Sequence, residues 1–150
     1  MISADSNIFV YAANRDSPYF QAARNFLQSH QSNREFVVCE LVLVEIYMCL
    51  RNKSILRNPL SVAQAVGFCD DLRSNESWKI VDTAPEIRAD LWKLAGLENF
   101  PPRGIINARL ALSLVFHGVK EFATVNVKDF EGFGFSKVWN PLLDKSKLGH

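Results

Sequence analysis

Three carboxylates that are far apart in the chain stand at positions where they could share a catalytic cation. Asp5 ends the apolar run of residues 2–5, Glu45 lies within LVLVEIYMCL, and Asp129 follows the run ATV in ATVNVKDF. Carboxylates without His or Cys ligands suit hard cations such as Mg²⁺ or Mn²⁺, which keep several waters and bind phosphates. Such an ion lowers the pKa of a bound water and polarises a phosphoryl oxygen. If these side chains meet, they predict hydrolysis of a phosphate ester.

Each carboxylate also has a structural interpretation. Glu45 would lose much of its hydration in an apolar helix, which costs several kcal/mol unless it is paired or bound to a cation. Arg51 is six residues away, outside the i+3 and i+4 positions that pair directly on a helix, so a functional role is favoured. Asp5 precedes a predicted helix and is a good N-cap residue. Asn126 and Asp129, three residues apart, mimic a capping pair.

Asn107 is a fourth candidate because it opens the predicted helix INARLALSLVFHG. Its same-face partners are Ala111 and Leu114, so it should point inward, where the alternative role is a hydrogen bond to a neighbouring loop. The absence of GxSxG, HExxH, GxxxxGK[ST] and GxGxxG removes serine hydrolase, zincin, P-loop and dinucleotide interpretations. A phosphatase or receiver domain with Asp5 as phosphate acceptor is a weaker alternative, because Asn7 stands where a haloacid-dehalogenase-like pattern requires Asp.

Short apolar strands alternate with helices along the chain. Strands are predicted at 2–5, 36–39, 78–81 and 121–125, with a possible short edge strand at 137–139. Helices are predicted at 7–13, 18–30, 40–51, 61–71, 83–97 and 105–117, with Ser17 and Thr83 as caps, Pro18 at a first helical position and Gly118 as a terminator. This alternation predicts a parallel sheet covered on both faces, whose strand tips bind ligands.

The composition indicates one globular domain over residues 1–150. Lys and Arg number 17 against 16 Asp and Glu, a net charge of +1, which is not the strong positive balance of a dedicated duplex binder. Arg51, Lys53 and Arg57 form a basic run without an acid. A solvated face is favoured for this run over a nucleic-acid footprint.

The cysteines and the apolar segments bear on the compartment. Cys39, Cys49 and Cys69 are odd in number, form no CxxC pair and have apolar neighbours, which predicts buried thiols in a reducing compartment. The first residues lack a basic n-region and a long apolar core, so no signal peptide is predicted. No apolar stretch approaches about 18 residues. We therefore expect a cytoplasmic protein without a membrane span.

With these residues in view, the chain resembles the PIN-domain ribonucleases, and more closely the VapC-type toxins of bacterial toxin–antitoxin pairs. The resemblance covers nearly the whole length. It rests on four motifs in order: D-S-N at residues 5–7, similar to the family's D-T-N; the acid Glu45 inside an apolar helix; IINARLALSLVFHGV, similar to D-A-x-L-A followed by Gly; and ATVNVKDF, similar to T-x-N-x-x-D-F. It implies a three-layer α/β/α sandwich with a central, mainly parallel sheet of four to five strands.

The resemblance also implies an activity and partners. The implied activity is metal-dependent endonucleolytic cleavage of RNA. The implied partners are a second copy of the chain, in a homodimer, and a small antitoxin protein that inhibits it. Mg²⁺ or Mn²⁺ would be held by Asp5, Glu45 and Asp129. Hydrogen bonds that order these acids would come from Ser6, Asn7, Thr124 and Asn126. The cations considered for neighbouring RNA phosphates are Arg51, Arg103, Arg109 and Lys128.

The chain departs from the family pattern at Asn107, where the pattern has Asp. Some members also carry their last acid at the position of Asn126. An amide oxygen can ligate a metal, but it brings no charge and cannot serve as a base, so Mg²⁺ binding should weaken. Three interpretations stay open: a nuclease that works with fewer acids, a catalytically degenerate module that binds RNA or a protein without cleavage, or an engineered change.

Overall fold

A five-stranded parallel sheet forms the centre of the computed structural model, which describes residues 1–143. The strands are β1 (Ile2–Ala4), β2 (Phe36–Cys39), β3 (Lys79–Val81), β4 (Glu121–Ala123) and β5 (Lys137–Trp139). Their order is β3-β2-β1-β4-β5, and each neighbouring pair is parallel. The predicted parallel sheet is confirmed, and the possible fifth strand lies at its edge. β1 is the central strand, so its carboxyl end lies between the carboxyl ends of β2 and β4.

Helices cover both faces of the sheet. They are α1 (Ser6–Ala13), α2 (Phe20–Ser29), α3 (Glu40–Leu50), α4 (Val62–Arg73), α5 (Arg88–Ala95) and α6 (Gly104–Phe116), with 3-10 turns at Pro85–Ile87 and Val127–Phe130. Helices α1 to α4 pack against one another, and α5 packs against α6. From β1 to β3 the chain crosses the sheet towards the β3 edge, and from β3 to β4 it crosses back. Because both crossovers are right-handed, helices α1 to α4 lie on one face and helices α5 and α6 on the other. The predicted three-layer sandwich is therefore confirmed.

The strands are short but deeply buried. Every residue of β2, the sequence FVVC, is at most 1% exposed, as expected for a strand with helices on both faces. Ser3 of β1 faces Val37 on one side and Phe122 on the other in the register. This apolar surrounding fixes β1 and hence the position of the residue that follows it.

Two predicted helix starts are wrong, and both have a physical cause. The second helix begins at Phe20 rather than Pro18, because Phe20 N donates to the Ser17 carbonyl three residues back and closes a turn before the α-helix. The Ser17 hydroxyl accepts from Tyr19 N at 3.0 Å and so caps this turn instead of the helix. Thr83 is not a cap, since its Oγ1 accepts from the side chain of Arg109.

The later part of the chain follows the predicted pattern with shorter elements. A 3-10 turn precedes α5, which ends at Ala95 instead of residue 97. Gly118 follows α6 with a φ of +91°, as a helix-terminating glycine should. Within the described residues, no helix is long and apolar enough to cross a membrane. The predicted domain runs to residue 150, and its last seven residues lie outside the described part.

Candidate active site

Asp5 is fixed at the carboxyl end of the central strand. Its N–H donates to the carbonyl of Ala123 at 2.8 Å, which continues the pairing between β1 and β4. Its Oδ1 accepts from the backbone N of Ser6 at 2.8 Å, so Asp5 is the N-cap of α1. The capping role therefore uses one carboxylate oxygen and holds the carboxylate at the carboxyl end of β1.

The second oxygen of Asp5 joins a polar network with the segment after β4. Its Oδ2 accepts from Thr124 Oγ1 at 2.7 Å and from Asn7 Nδ2 at 3.2 Å. Thr124 Oγ1 in turn accepts from the backbone N of Asn126 at 3.0 Å. Burial raises the pKa of Asp5 above its usual value, although the hydrogen bonds from Thr124, Ser6 and Asn7 oppose that shift. A buried carboxyl with these donors is held in one orientation.

Glu45 brings a second carboxylate to the same region from α3. Burial, together with the negative charge of Asp5, raises the pKa of Glu45 to about 7. The two ion pairs seen within residues 1–143 involve neither Asp5 nor Glu45. The negative charge of Asp5 therefore reaches Glu45, and among the described residues neither acid forms an ion pair with a basic side chain.

A cavity of about 260 Å³ joins these groups at the carboxyl ends of β1 and β4. Water occupies about 30 Å³ per molecule, so the space suits a partly hydrated cation. One part of the lining is polar and the other is apolar. The lining residues are Asp5, Ser6, Asn7, Val10, Tyr11, Glu45, Cys49, Ile55, Asn107 and Asn126.

The segment after β4 contributes an amide rather than an acid to this cavity. Asn126 and Asp129 are both exposed, but Asn126 lines the cavity whereas Asp129, on the 3-10 turn, does not. Asn126 makes no side-chain cap bond, so the capping-pair interpretation has no support in the hydrogen bonding. In residues 1–143, no group of three or more His, Cys, Asp or Glu is placed to hold a metal ion. The cavity thus combines two carboxylates with two amides.

The four cations considered for RNA contact lie outside the cavity lining. Arg51 is exposed, and its Nη1 donates to the carbonyl of Leu60 at 3.0 Å. Arg109 uses its Nε to donate to Thr83 Oγ1 at 3.1 Å. Arg103 and Lys128 are exposed, at the start of α6 and on the 3-10 turn after β4.

The apolar part of the cavity was not anticipated from the sequence. Tyr11 and Cys49 lie four residues after Asn7 and Glu45 on their helices, and Ile55 follows α3. The spacing of four was a usable signal, because residues at i and i+4 share a helix face. The contribution of Ile55 depends on how the loop folds back and carries no such signal.

The donor chemistry fits one divalent cation. Mg²⁺ is commonly bound by one or two carboxylates, with waters and substrate phosphates completing its shell. Asp5 and Glu45 supply two such groups, and the amides of Asn107 and Asn126 can supply neutral oxygens. A cation between the acids would also offset the repulsion that raises the pKa of Glu45.

Comparison with known proteins identifies the family. Residues 2–113 match the PIN domain, and the chain therefore belongs to the PIN-domain family. It is 43% identical over 142 residues to Ribonuclease VapC24 of Mycobacterium tuberculosis, in strains CDC 1551 / Oshkosh and ATCC 25618 / H37Rv. The match covers 95% of this chain and 97% of the relative. The resemblance stated from the sequence motifs is confirmed.

Solved structures share the fold at lower identity. The Mycobacterium tuberculosis toxin VapC20, described as cleaving the Sarcin-Ricin loop, aligns with a TM-score of 0.68 and 15% identity, over 90% of this chain and 96% of VapC20. FitAB bound to an IR36 DNA fragment aligns with a TM-score of 0.61 and 16% identity, over 95% of this chain and 96% of the FitAB chain. VapBC2 of Rickettsia felis, bound to promoter DNA, aligns with a TM-score of 0.56 and 20% identity, over 93% of this chain and 98% of the VapBC2 chain.

Proposed function

We propose that this protein is a divalent-metal-dependent endoribonuclease and the toxin of a toxin–antitoxin pair. The observation that carries the metal-dependent step is the meeting of Asp5 and Glu45 in one cavity without a compensating basic side chain. The name ribonuclease, borne by relatives that are 43% identical over most of the chain, supports RNA as the substrate. It favours cleavage over the non-cleaving alternative. Action on cellular RNA agrees with the expected cytoplasmic location.

Asp5 and Glu45 would hold Mg²⁺ or Mn²⁺, with Asn107 and Asn126 as neutral oxygen ligands. When bound, the ion supplies activation of a water and polarisation of the phosphoryl oxygen. Thr124 and Asn7 hold Asp5 through hydrogen bonds to Oδ2. This leaves little freedom for the carboxylate to turn away when RNA enters.

Glu45 can exchange a proton under neutral conditions because its pKa is about 7. Positive charge bound between the acids favours the ionised carboxylate. Cation binding below pH 7 should therefore release about one proton per site, and the apparent affinity should rise about tenfold per pH unit up to that value. Metal titration in buffers of different ionisation enthalpy measures this release.

Asp129 as a third metal ligand stays a prediction. Its absence from the cavity lining favours a two-carboxylate site instead. The Asp129→Asn variant separates the two arrangements, because it should keep cleavage activity within a few fold if Asp129 is outside the metal site. Loss of metal affinity in this variant would show that the turn moves inward.

The main test is cleavage of structured RNA by the purified protein with Mn²⁺ or Mg²⁺. EDTA and Asp5→Asn should each stop cleavage, with Asp16→Asn as a control because Asp16 is an exposed acid in the turn after α1. Cleavage that survives both EDTA and Asp5→Asn would overturn the metal-dependent mechanism. RNA retention without any cleavage would favour the degenerate module.

A small antitoxin and a second copy of the chain are the proposed protein partners. FitAB and VapBC2, which share the fold, support a two-component assembly. Val44 and Met48, one turn apart on α3, are 49% and 63% exposed, which gives an apolar surface that a partner would cover. Co-purification with the product of a short adjacent reading frame tests the antitoxin, and light scattering at several concentrations tests the homodimer.

A further inference from the structure

Metal chemistry does not account for the apolar half of the cavity. Val10 and Tyr11 of α1, Cys49 of α3 and Ile55 of the following loop line the space that also contains the two carboxylates. An RNA strand carries an aromatic base beside each phosphate, and unpaired bases stack on aromatic side chains. A cavity lined by both carboxylates and apolar side chains thus matches the two chemical parts of a nucleotide.

Tyr11 is the only aromatic residue among the described lining residues of this cavity. It is half-buried, and its ring packs edge-on against Tyr19, with ring centroids 5.2 Å apart and an interplanar angle of 61°. Tyr19 does not line the cavity, so it supports the ring of Tyr11 from outside. A ring that is already held in place loses little conformational entropy when a base stacks on it.

The loop that carries Ile55 is strongly basic. Arg51, Lys53 and Arg57 are exposed, and no acid occurs from residue 46 to residue 69. Arg51 is tied to the Leu60 carbonyl, while neither Lys53 nor Arg57 takes part in the ion pairs seen within residues 1–143. Ile55 lies between these two cations, so the positive charge reaches the apolar edge of the cavity.

We propose that Val10, Tyr11 and Ile55 form a subsite for one unpaired RNA base beside the metal centre, and that Lys53 and Arg57 contact the phosphates next to it. This inference rests on the proposed ribonuclease function and adds a specificity-determining surface. A base held in a duplex cannot stack on Tyr11 without leaving its partner. The subsite therefore selects a single-stranded nucleotide next to the bond that is cleaved.

The test combines Tyr11 variants with RNA that lacks single bases. Binding of a fluorescent hairpin RNA with a single-stranded loop is measured by anisotropy in EDTA, and kcat and KM are measured with Mn²⁺. Tyr11→Leu should weaken binding and raise KM about tenfold, with kcat within about twofold, and Tyr11→Phe should retain the wild-type values. With an abasic nucleotide at the contacted loop position, Tyr11→Leu should have no further effect.

Tyr47→Leu is the matched control, because Tyr47 is an exposed tyrosine of α3 that does not line the cavity. It should leave RNA affinity unchanged. Ile55→Ser provides a second variant with little risk to folding, since Ile55 is 45% exposed. It should weaken binding about threefold, consistent with partial loss of one apolar contact.

The phosphate contacts are tested by the salt dependence of binding. Lys53→Ala and Arg57→Ala should each reduce the slope of log K against log salt by about 0.7, the value for one phosphate contact on a single strand. Arg34→Ala should not change it, because Arg34 is an exposed cation before β2, at the amino ends of the strands and away from the cavity at their carboxyl ends.

The outcomes separate the subsite from the ribonuclease function. Cleavage that is unaffected by Tyr11→Leu and Ile55→Ser would overturn the subsite alone. The subsite would also be overturned if the loop bases are removed one at a time and Tyr11→Leu weakens binding of each abasic RNA as much as it weakens binding of the intact RNA. Binding that depends on Tyr11 without metal-dependent cleavage would support the subsite and overturn the nuclease. Absence of any RNA binding would overturn both.

Discussion

Replacing Glu45 by Gln should stabilise the cation-free protein at pH 8 and remove most of its response to Mn²⁺. The carboxyl group has a pKa of about 7 in the folded protein, because it is partly buried and lies near the charge of Asp5. In the unfolded chain it returns to about 4.5. Above pH 7 the folded protein therefore holds an ionised Glu45 in an unfavourable place, and Gln removes that charge.

The pH window and the size of the effect follow from these two values. Between pH 4.5 and about 7, the unfolded chain has lost a proton that the folded protein retains, so stability falls as the pH rises and is level above that range. The pKa of Glu45 is about 2.5 higher in the folded protein than in the unfolded chain, which corresponds to about 3.4 kcal/mol of unfolding free energy before solvent screening. Glu45 is partly exposed, and solvent screening reduces the expected gain from Glu45→Gln to about 1–2 kcal/mol at pH 8. Near pH 4.5 the gain should vanish.

Urea unfolding at pH 4.5, 6 and 8, with and without Mn²⁺, measures both parts of this prediction. Mn²⁺ at one hundred times its Kd should add about 2.7 kcal/mol to the wild type and little to Glu45→Gln. Glu86→Gln is the control, since Glu86 is an exposed acid on the 3-10 turn before α5, and it should stay within about 0.5 kcal/mol at each pH. Equal stabilisation of wild type and Glu45→Gln by Mn²⁺, or no gain at pH 8, would refute the reasoning.

Four further substitutions test the site and the fold. Asn107→Asp adds a carboxylate to the cavity lining and should tighten Mn²⁺ binding at least about tenfold in calorimetric titration; unchanged affinity would place residue 107 outside the metal shell. Ser3→Ala removes a buried hydroxyl that has no hydrogen-bond partner among the described residues, and should raise stability by up to about 1 kcal/mol in thermal unfolding. Gly118→Ala forces a side chain into a φ of +91° and should cost about 1 kcal/mol or more. Gly67→Ala, within α4 and with open space at its Cβ, should instead stabilise by about 0.5–1 kcal/mol, and equal effects at the two glycines would contradict the conformational argument.

The elements were predictable where one local signal dominates. The run FVVC at 36–39 is β2 without any shift in its bounds, and Ser61 begins α4 with a full capping box to Gln64. Ser17 starts a turn closed by Phe20 N and not the helix itself, and Thr83 failed as a cap because its hydroxyl oxygen accepts from Arg109. A local pattern cannot show that a residue 26 positions away will take the capping oxygen.

The site was predictable to the extent that burial marks an unusual acid. Glu45 stood out because its neighbours are apolar, and the structure places it in the same cavity as Asp5. The choice between Asn126 and Asp129 was beyond the sequence, since both follow β4 within six residues. It depends on the path of one 3-10 turn, in which Asp129 N donates back to the Asn126 carbonyl at 3.0 Å and the acid stays exposed.

The charge of the cavity gives the departure at Asn107 a physical meaning. When both are ionised, Asp5 and Glu45 bring two negative charges, which one divalent cation balances, whereas acids at 107 and 126 would bring four and favour a pair of ions. Under the proposed function, the amides would suit a single ion whose affinity stays modest until a phosphate arrives. The incoming phosphodiester is then the extra negative charge, and Lys53 and Arg57 are the exposed cations next to the cavity edge that can offset it. The loop after α3 and the two amides would then act together, because the RNA phosphate would complete the coordination of the metal ion.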